Sequence, residues 1–538
     1  MRRIVPIIVL LSAAVSAPLL AQRNGRAAAR ANQNAAAQVQ QAVNTIAEAE
    51  YRARIGVIAD DSMRGRGTPS PELEQVAAYI GGQFQSFGLR PGGDNGGFLQ
   101  RYPIRRSVLD SASFVMAMGR GAHGHWPLGR DATLLGTLGG EMPAGGVSGP
   151  LVLVVGVPAD TARPFGDTDM RGALVLQVAA ASRMRGLQGL VQKARDAGVR
   201  GWILLTEAPG AAFRAQAANA FRPNVQMVSG STGAAGVPVF SVRDSSAIAV
   251  LSAAGEDIAA LRAPAATPAV RALSGFTGAF DVRRVVTEET SAPNVIGILE
   301  GSDPVLKNEY VFFTGHMDHV GVAGMGNGCT AQGADSICNG ADDDASGTTG
   351  VVMLAQAFGQ LSTRPRRTLV FMTVSGEERG LWGSEYYSEH PVLPLASTVA
   401  DLNMDMIGRY YNNQPGWRDT IVVIGKEHSS LGASANAVNA AHPELHMSFI
   451  DDIWPTENFY RRSDHFNFAR KGVPILFFFN GTHPDYHRVS DSVDKIDAEK
   501  ASRIVKMVFY LGLDVANADE RPQWNPASRA SIVEPATP

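Results

Sequence analysis

From about residue 290 onward, short apolar runs and amphipathic segments take turns along the chain, and few folds tolerate that pattern. Strands are expected at 294–299, 309–315, 368–374, 397–404, 420–424 and 474–479, and helices near 346–361, 429–441 and 497–516. Apolar runs without polar alternation suit strands buried on both faces. The expectation is an α/β three-layer sandwich around a mainly parallel central sheet. Ligands of such sheets gather where the strands end, and this chain concentrates its His, Asp and Glu there.

The first of these ends is Tyr310-Val-Phe-Phe-Thr-Gly-His-Met-Asp318. In extended backbone, residues two apart face the same way. His316 and Asp318 therefore share a side, an arrangement that suits a metal-bound imidazole oriented by a carboxylate. Next comes Gly340-Ala-Asp-Asp-Asp-Ala-Ser-Gly347, leading into the helix near 346–361. Capping of a helix N-terminus accounts for one acid, Asp344 being the best placed. A middle carboxylate turned inward can bridge two cations, which a metal pair about 3.5–4 Å apart requires.

Glu377 and Glu378 follow the strand 368–374 and a glycine. Adjacent positions aim differently, so one can bind metal while the other handles protons. Asp405 ends an apolar strand, where an unpaired carboxylate is costly and a cation would offset the cost. His487, in Pro484-Asp-Tyr-His487, means little alone. Oxygen and imidazole donors without thiolates suit zinc, with manganese or cobalt as substitutes.

The order of these segments resembles the di-zinc exopeptidase family that includes bacterial leucyl aminopeptidases and glutamate carboxypeptidase. The resemblance rests on His-x-Asp, Gly-Ala-Asp-Asp-Asp-x-Ser-Gly, Glu-Glu-x-Gly-Leu-x-Gly-Ser, Asp-Met and a late Tyr-His, spread over roughly 290–515. It implies that His316 and Asp405 hold one zinc, that Glu378 and His487 hold the other, and that Asp343 bridges them. It further implies that Asp318 orients His316 and that Glu377 is the general base on a water shared by the two metals. Tyr460, in Tyr-Arg-Arg-Ser-Asp-His, matches a family tyrosine that donates to the oxyanion. Aminopeptidase activity is the favoured reading; a carboxypeptidase, a dipeptidase or a non-catalytic receptor-like relative are the alternatives. Arg409, Arg461 and Arg462 are the cations available for a substrate carboxylate. No Gly-x-Ser-x-Gly elbow of a serine esterase occurs.

Length divides the rest. A chain of 538 residues exceeds one ordinary domain. Arg2 and Arg3 ahead of an apolar run from Ile4 to Leu11 read as a signal peptide over 1–21, too short to span a bilayer. An exported protein, periplasmic or secreted, is expected, with no stable membrane insertion. A linker is read at 22–41, the N-terminal part of the peptidase domain at 42–130, and its catalytic part at 281–518. Between them, 131–280 carries strands, a helix and no metal-ligand constellation, and resembles a protease-associated domain. Residues 519–538 read as a flexible tail. A formal charge of -3 argues against nucleic acid as a partner and leaves peptides as the expected substrates. Cys329 and Cys338 can form a local disulfide, remain free thiols, or contribute weakly to a metal site. The oligomeric state is not legible.

Overall fold

The computed structural model describes residues 33–138, 142–143, 145–157, 162–178, 187–228, 236–263, 266–324 and 328–535. The expected signal peptide and the first part of the linker lie outside the described residues. Residues 33–44 of the linker region are helical. The described residues form two compact units, one from those up to 102 together with those from 291 onward, the other from those between 103 and 290.

The first unit is built on a mixed sheet. Its strand order is Ser448–Ile450, Thr420–Ile424, Ile475–Phe479, Thr398–Met404, Tyr310–His316, Thr368–Val374 and then the last residues of Arg284–Leu299. The centre is parallel: Tyr310–His316 pairs in parallel with both Thr368–Val374 and Thr398–Met404, and the latter with Ile475–Phe479. Towards the flanks the direction reverses, since Val295–Leu299 pairs antiparallel with Thr373–Leu369 and Thr420–Ile424 antiparallel with Ile475–Phe479. The parallel register sets His316 beside Val374, so the strand ends that carry His316 and the Glu377-Glu378 pair lie side by side.

Helices cover both faces, and two consecutive phenylalanines show why. Phe312 packs against Tyr387 and Phe468, on helices Trp382–Glu389 and His465–Arg470. Phe313 points the other way, against Phe358 of helix Gly347–Gly359 and stacked on Phe371. Phe358 in turn stacks on Phe509 of helix Ala498–Asn517. Each such ring, fully buried, contributes about 1.5–3 kcal/mol through the area removed from water. Helix Pro71–Ser86 begins as its sequence dictates, with Ser70 accepting from Leu73 N and Pro71 in the first turn.

The C-terminal segment is a correction. Residues 519–535 are anchored, not a loose tail: the Trp524 indole donates to Gly472 O at 2.9 Å, Pro526–Ile532 is helical, and Glu534 pairs with Arg470 and Lys471. Proline and alanine suggested fraying, but Trp524 supplies the packing that composition does not reveal.

The second unit carries an eight-stranded mixed sheet in the order Ala122–Pro127, Phe114–Gly119, Ala269–Asp281, Val147–Val155, Leu174–Val178, Gly201–Thr206, Val237–Arg243 and Ala132–Leu138. Among the described residues it has helices at Leu187–Asp196, Gly210–Ala220, Asp244–Ala253 and Ile258–Arg262. It begins at Pro103, earlier than the expected 131. The reason is the hairpin Phe114–Gly119 with Ala122–Pro127, whose first strand pairs with Ala269–Asp281. Its glycines and histidines hide the strand period. Among the described residues, no helix is long and apolar enough to cross a membrane.

Candidate metal centre

The three consecutive acids divide their work. Asp344 satisfies main chain: its Oδ1 accepts from Gly347 N at 2.8 Å and Met406 N at 3.1 Å, and its Oδ2 from His316 N at 3.1 Å. Asp342 accepts from Gly408 N at 2.6 Å and lies 3.2 Å from His483 Nε2. Of the three, Asp343 is the one that turns to His316 and His487. Its Oδ1 is 3.3 Å from His316 Nε2 and its Oδ2 is 3.1 Å from His487 Nε2. The left-handed Gly340 (φ +55°) makes the turn possible, because a Cβ there would meet Asp343 O at 2.2 Å.

The remaining expected ligands close around this carboxylate. Asp405 Oδ2 lies 3.6 Å from His316 Nε2, and Glu378 Oε2 lies 3.1 Å from His487 Nε2. Donors at about 2.0–2.1 Å from one tetrahedral zinc stand about 3.3 Å apart, and these contacts fall around that value. By contrast, His319 Nδ1 is only 2.7 Å from Glu378 Oε1. The two atoms are nevertheless left without a hydrogen-bond partner, and His319, Asp343 and Glu378 stand close enough together to share one ion. Asp344 also lies within 4.8 Å of His316 and Asp405 donors, but its oxygens are already engaged by main-chain N–H groups.

Burial makes this cluster costly by itself. His316 Nε2, Asp343 Oδ2, Glu378 Oε1, Asp405 Oδ1 and His487 Nε2 are buried atoms without a hydrogen-bond partner. The field of the carboxylates favours positive charge. For His487, burial lowers the pKa but Asp343 and Glu378 raise it more, to about 10. His316 is raised too, with burial opposing and Asp405 and Glu377 prevailing. Five convergent unsatisfied donors in an electronegative pocket fit divalent cations.

Around this set, further side chains hold position. Asp318 Oδ2 accepts from Thr68 Oγ1 at 2.8 Å and its Oδ1 from Glu377 N at 3.2 Å. Its Oδ1 is 3.7 Å from His316 Nδ1, and the closer contact of that nitrogen is Asp318 O at 3.2 Å. Ser463 Oγ donates to Asp405 Oδ2 at 2.9 Å. Glu377 is held well above the usual carboxylate range, by burial first and then by Glu378, Asp464 and Asp405, with His316 opposing.

Tyr460 is not brought into the cluster. Its ring packs edge-on against His428 at 4.5 Å, and burial followed by Glu427 raises its phenol. Tyr486 lies nearer, stacked on His487 at 3.9 Å, with its phenol raised by burial and then by Asp343, Glu378, Glu377 and Asp405. Three other residues escaped the sequence reading. His319 has a signal, sitting one position beyond His-x-Asp. Asp464, fully buried and bonded to Ser384 Oγ at 2.6 Å, is pushed up to about 7 by burial, with His316, Asp318 and Asp405 in its field. Arg66 lies far away in sequence and has no local signal.

Residues 294–512 match the model of peptidase family M28. Over this stretch the chain is similar to that family. The matched stretch contains all five expected ligands. Over 216 residues the chain is 26% identical to a probable zinc metalloprotease of Pyricularia oryzae, covering 33% of this chain and 42% of that protein. Over 248 residues it is 24% identical to Aminopeptidase YwaD of Bacillus subtilis, covering 45% and 48%. The chain thus spans less than half the length of either curated relative. An aminopeptidase from Aneurinibacillus sp. strain AM-1 aligns over 90% of this chain and 97% of its own, at 19% identity and a TM-score of 0.49.

The cysteines are bonded to each other, Cys329 to Cys338. They pack with Val320 and Val489, the latter two residues beyond His487.

Proposed function

We propose that this protein is an exported zinc-dependent exopeptidase of the aminopeptidase type, working with two zinc ions. The observation that carries the reading is the convergence of His316, Asp343, Glu378, Asp405 and His487 with unpartnered buried donor atoms. His316 and Asp405 would hold one ion, Glu378 and His487 the other, and Asp343 both. Bound zinc supplies Lewis acidity towards a peptide carbonyl and towards water.

The chain's own groups do the rest. Glu377 takes a proton from the attacking water on a carboxylate oxygen and delivers it to the leaving nitrogen. Its backbone is pinned to Asp318, which also faces the His316 ring, so base and ligand are oriented by one carboxylate. Tyr486 replaces Tyr460 as the candidate donor to the developing oxyanion.

Preference for a free amino terminus is supported by what is free and what is engaged. Arg409 is tied through Nη2 to Asn413 and Asp485, with Nη1 at 3.8 Å from Asp491; Arg461 lies over the Phe466 ring, and Arg462 over the Phe459 ring. A spare acceptor oxygen remains on Asp464, and a carboxylate suits an ammonium group. Export is supported by the basic and apolar N-terminal sequence and by the Cys329–Cys338 bond. The unit 103–290 is proposed as a protease-associated insert.

The test is dipeptide profiling of purified protein. Hydrolysis of carboxyl-blocked dipeptides, with amino-blocked ones left intact, is expected; the opposite pattern makes the protein a carboxypeptidase.

A further inference from the structure

The bridging acid lies where no regular ladder fixes the backbone. Within the turn Ala341–Ser346, Asp343 (φ -102°, ψ 97°) and Asp344 depart from helical geometry. Something else must hold the main chain so that both oxygens of Asp343 face imidazoles. Two buried side chains grip it from opposite directions.

From one direction comes Arg66, wholly buried. Its contacts are main-chain carbonyls: Nε donates to Met317 O at 2.8 Å, Nη2 to Gly340 O at 2.6 Å and to Asp343 O at 3.3 Å, and Nη1 to Asn339 O. One rigid fork therefore ties the end of the strand bearing His316 to the loop bearing Asp343. Its own backbone runs alongside, with Gly65 O accepting from Gly321 N at 3.1 Å and Arg66 O from His319 N at 3.4 Å. From the other direction comes Asp491, also wholly buried. Its carboxylate accepts from Asp342 N at 3.0 Å and Asp343 N at 3.2 Å. The N–H and the C=O of the bridging residue are thus both held by side chains. Among the described residues no carboxylate lies at ion-pair distance from Arg66, though Asp343, Asp318, Asp344 and Asp491 act on it through their charge; a cation buried in this way is costly to keep, which argues that the fork has a purpose beyond filling space.

We propose that Arg66 is a positioning residue of the metal centre: with Asp491 it fixes the main chain of Asp343 so that the carboxylate can serve both ions. The inference rests on the two-zinc reading above and adds a residue outside the stretch that matches the family model.

The experiment measures zinc stoichiometry and affinity by competition with a chelator, on the full chain as wild type, Arg66→Met and Arg66→Lys. Arg66→Met removes the fork and keeps an apolar stem; Arg66→Lys keeps the charge and loses the fork. Wild type is expected to bind two zinc ions. Both variants are expected to keep the wild-type far-UV spectrum and cooperative melting, and to bind zinc about 10–100-fold more weakly, the scale set by losing a ligand-orienting contact. Activity lost at limiting zinc should return as zinc is raised. A residue that only supports the fold would lower Tm and leave zinc affinity unchanged. A folded variant holding both ions at wild-type affinity overturns the proposal. So does failure of both variants to fold, because the fork would then support the fold and not the site. Wild type that binds no zinc sinks the underlying reading as well, and is told apart by that result.

Discussion

At the scale of single residues, neighbours in sequence carry different tasks because the backbone aims them apart. Glu377 and Glu378 are the clearest pair, since only Glu378 touches the imidazoles. Glu377→Ala should retain its zinc and lose turnover by about 10²–10⁴-fold, the usual worth of a general base; kcat and zinc content measured on one sample check this. Asp343→Asn should instead lose zinc, because an amide cannot offer two anionic oxygens. A different acid sets a pH response. Asp401, buried and accepting from Thr314 Oγ1 at 2.8 Å, is pushed up to about 8, burial being the main cause. Its folded pKa lies above its ordinary 3.8, so the folded state binds the proton more tightly. The stabilisation that follows is complete below about pH 4 and is lost as pH rises through 8. Asp401→Asn mimics the protonated acid and should therefore raise Tm more at pH 8 than at pH 5. Equal gains at both values would contradict the assignment. The expected ligands His316, Asp343, Glu378 and Asp405 stood out because each ends or follows an apolar strand or a glycine turn, whereas His487 carried no such signal. The motif match at Tyr460 does not say where its ring points, and the ring lies edge-on to His428. Arg66, Asp491 and Asp464 act across long sequence separations, which a linear reading cannot pair.

At the scale of elements, the sites depend on close approach between strand ends and the helix beginning at Gly347. A Cβ at Gly347 would sit 2.1 Å from Met404 O and 2.6 Å from Asp344 Oδ1. Gly347→Ala should therefore cost about 1–3 kcal/mol through overpacking, read by urea unfolding, and weaken the strand end that carries Asp405. Helices and strands of the first unit were readable from apolar runs, since buried strands need no alternation and the cap at Ser70 is a local signal. Strand direction was not readable. The sheet is mixed because its flanking pairs reverse, and hydrogen-bond polarity leaves no trace in residue type. The hairpin at 114–127 and the anchored residues 519–535 were missed for a related reason: each is fixed by distant partners, Ala269–Asp281 in one case and Gly472 and Arg470 in the other.

At the scale of the whole molecule, much of the buried charge is negative and is gathered at one place. Asp318, Asp343, Glu378, Asp405 and Asp464 all have nearly inaccessible side chains. Cations that bind the folded chain and not the unfolded one stabilise it by mass action. Dialysis against a chelator should abolish peptidase activity and lower Tm, with both restored by zinc. The most direct measurement is anomalous diffraction at the zinc edge on crystals of the purified protein. Two peaks are expected, one among His316, Asp343 and Asp405 and one among Asp343, Glu378 and His487. A map with no peak beside Asp343, from protein that hydrolyses dipeptides at full rate, would contradict the account.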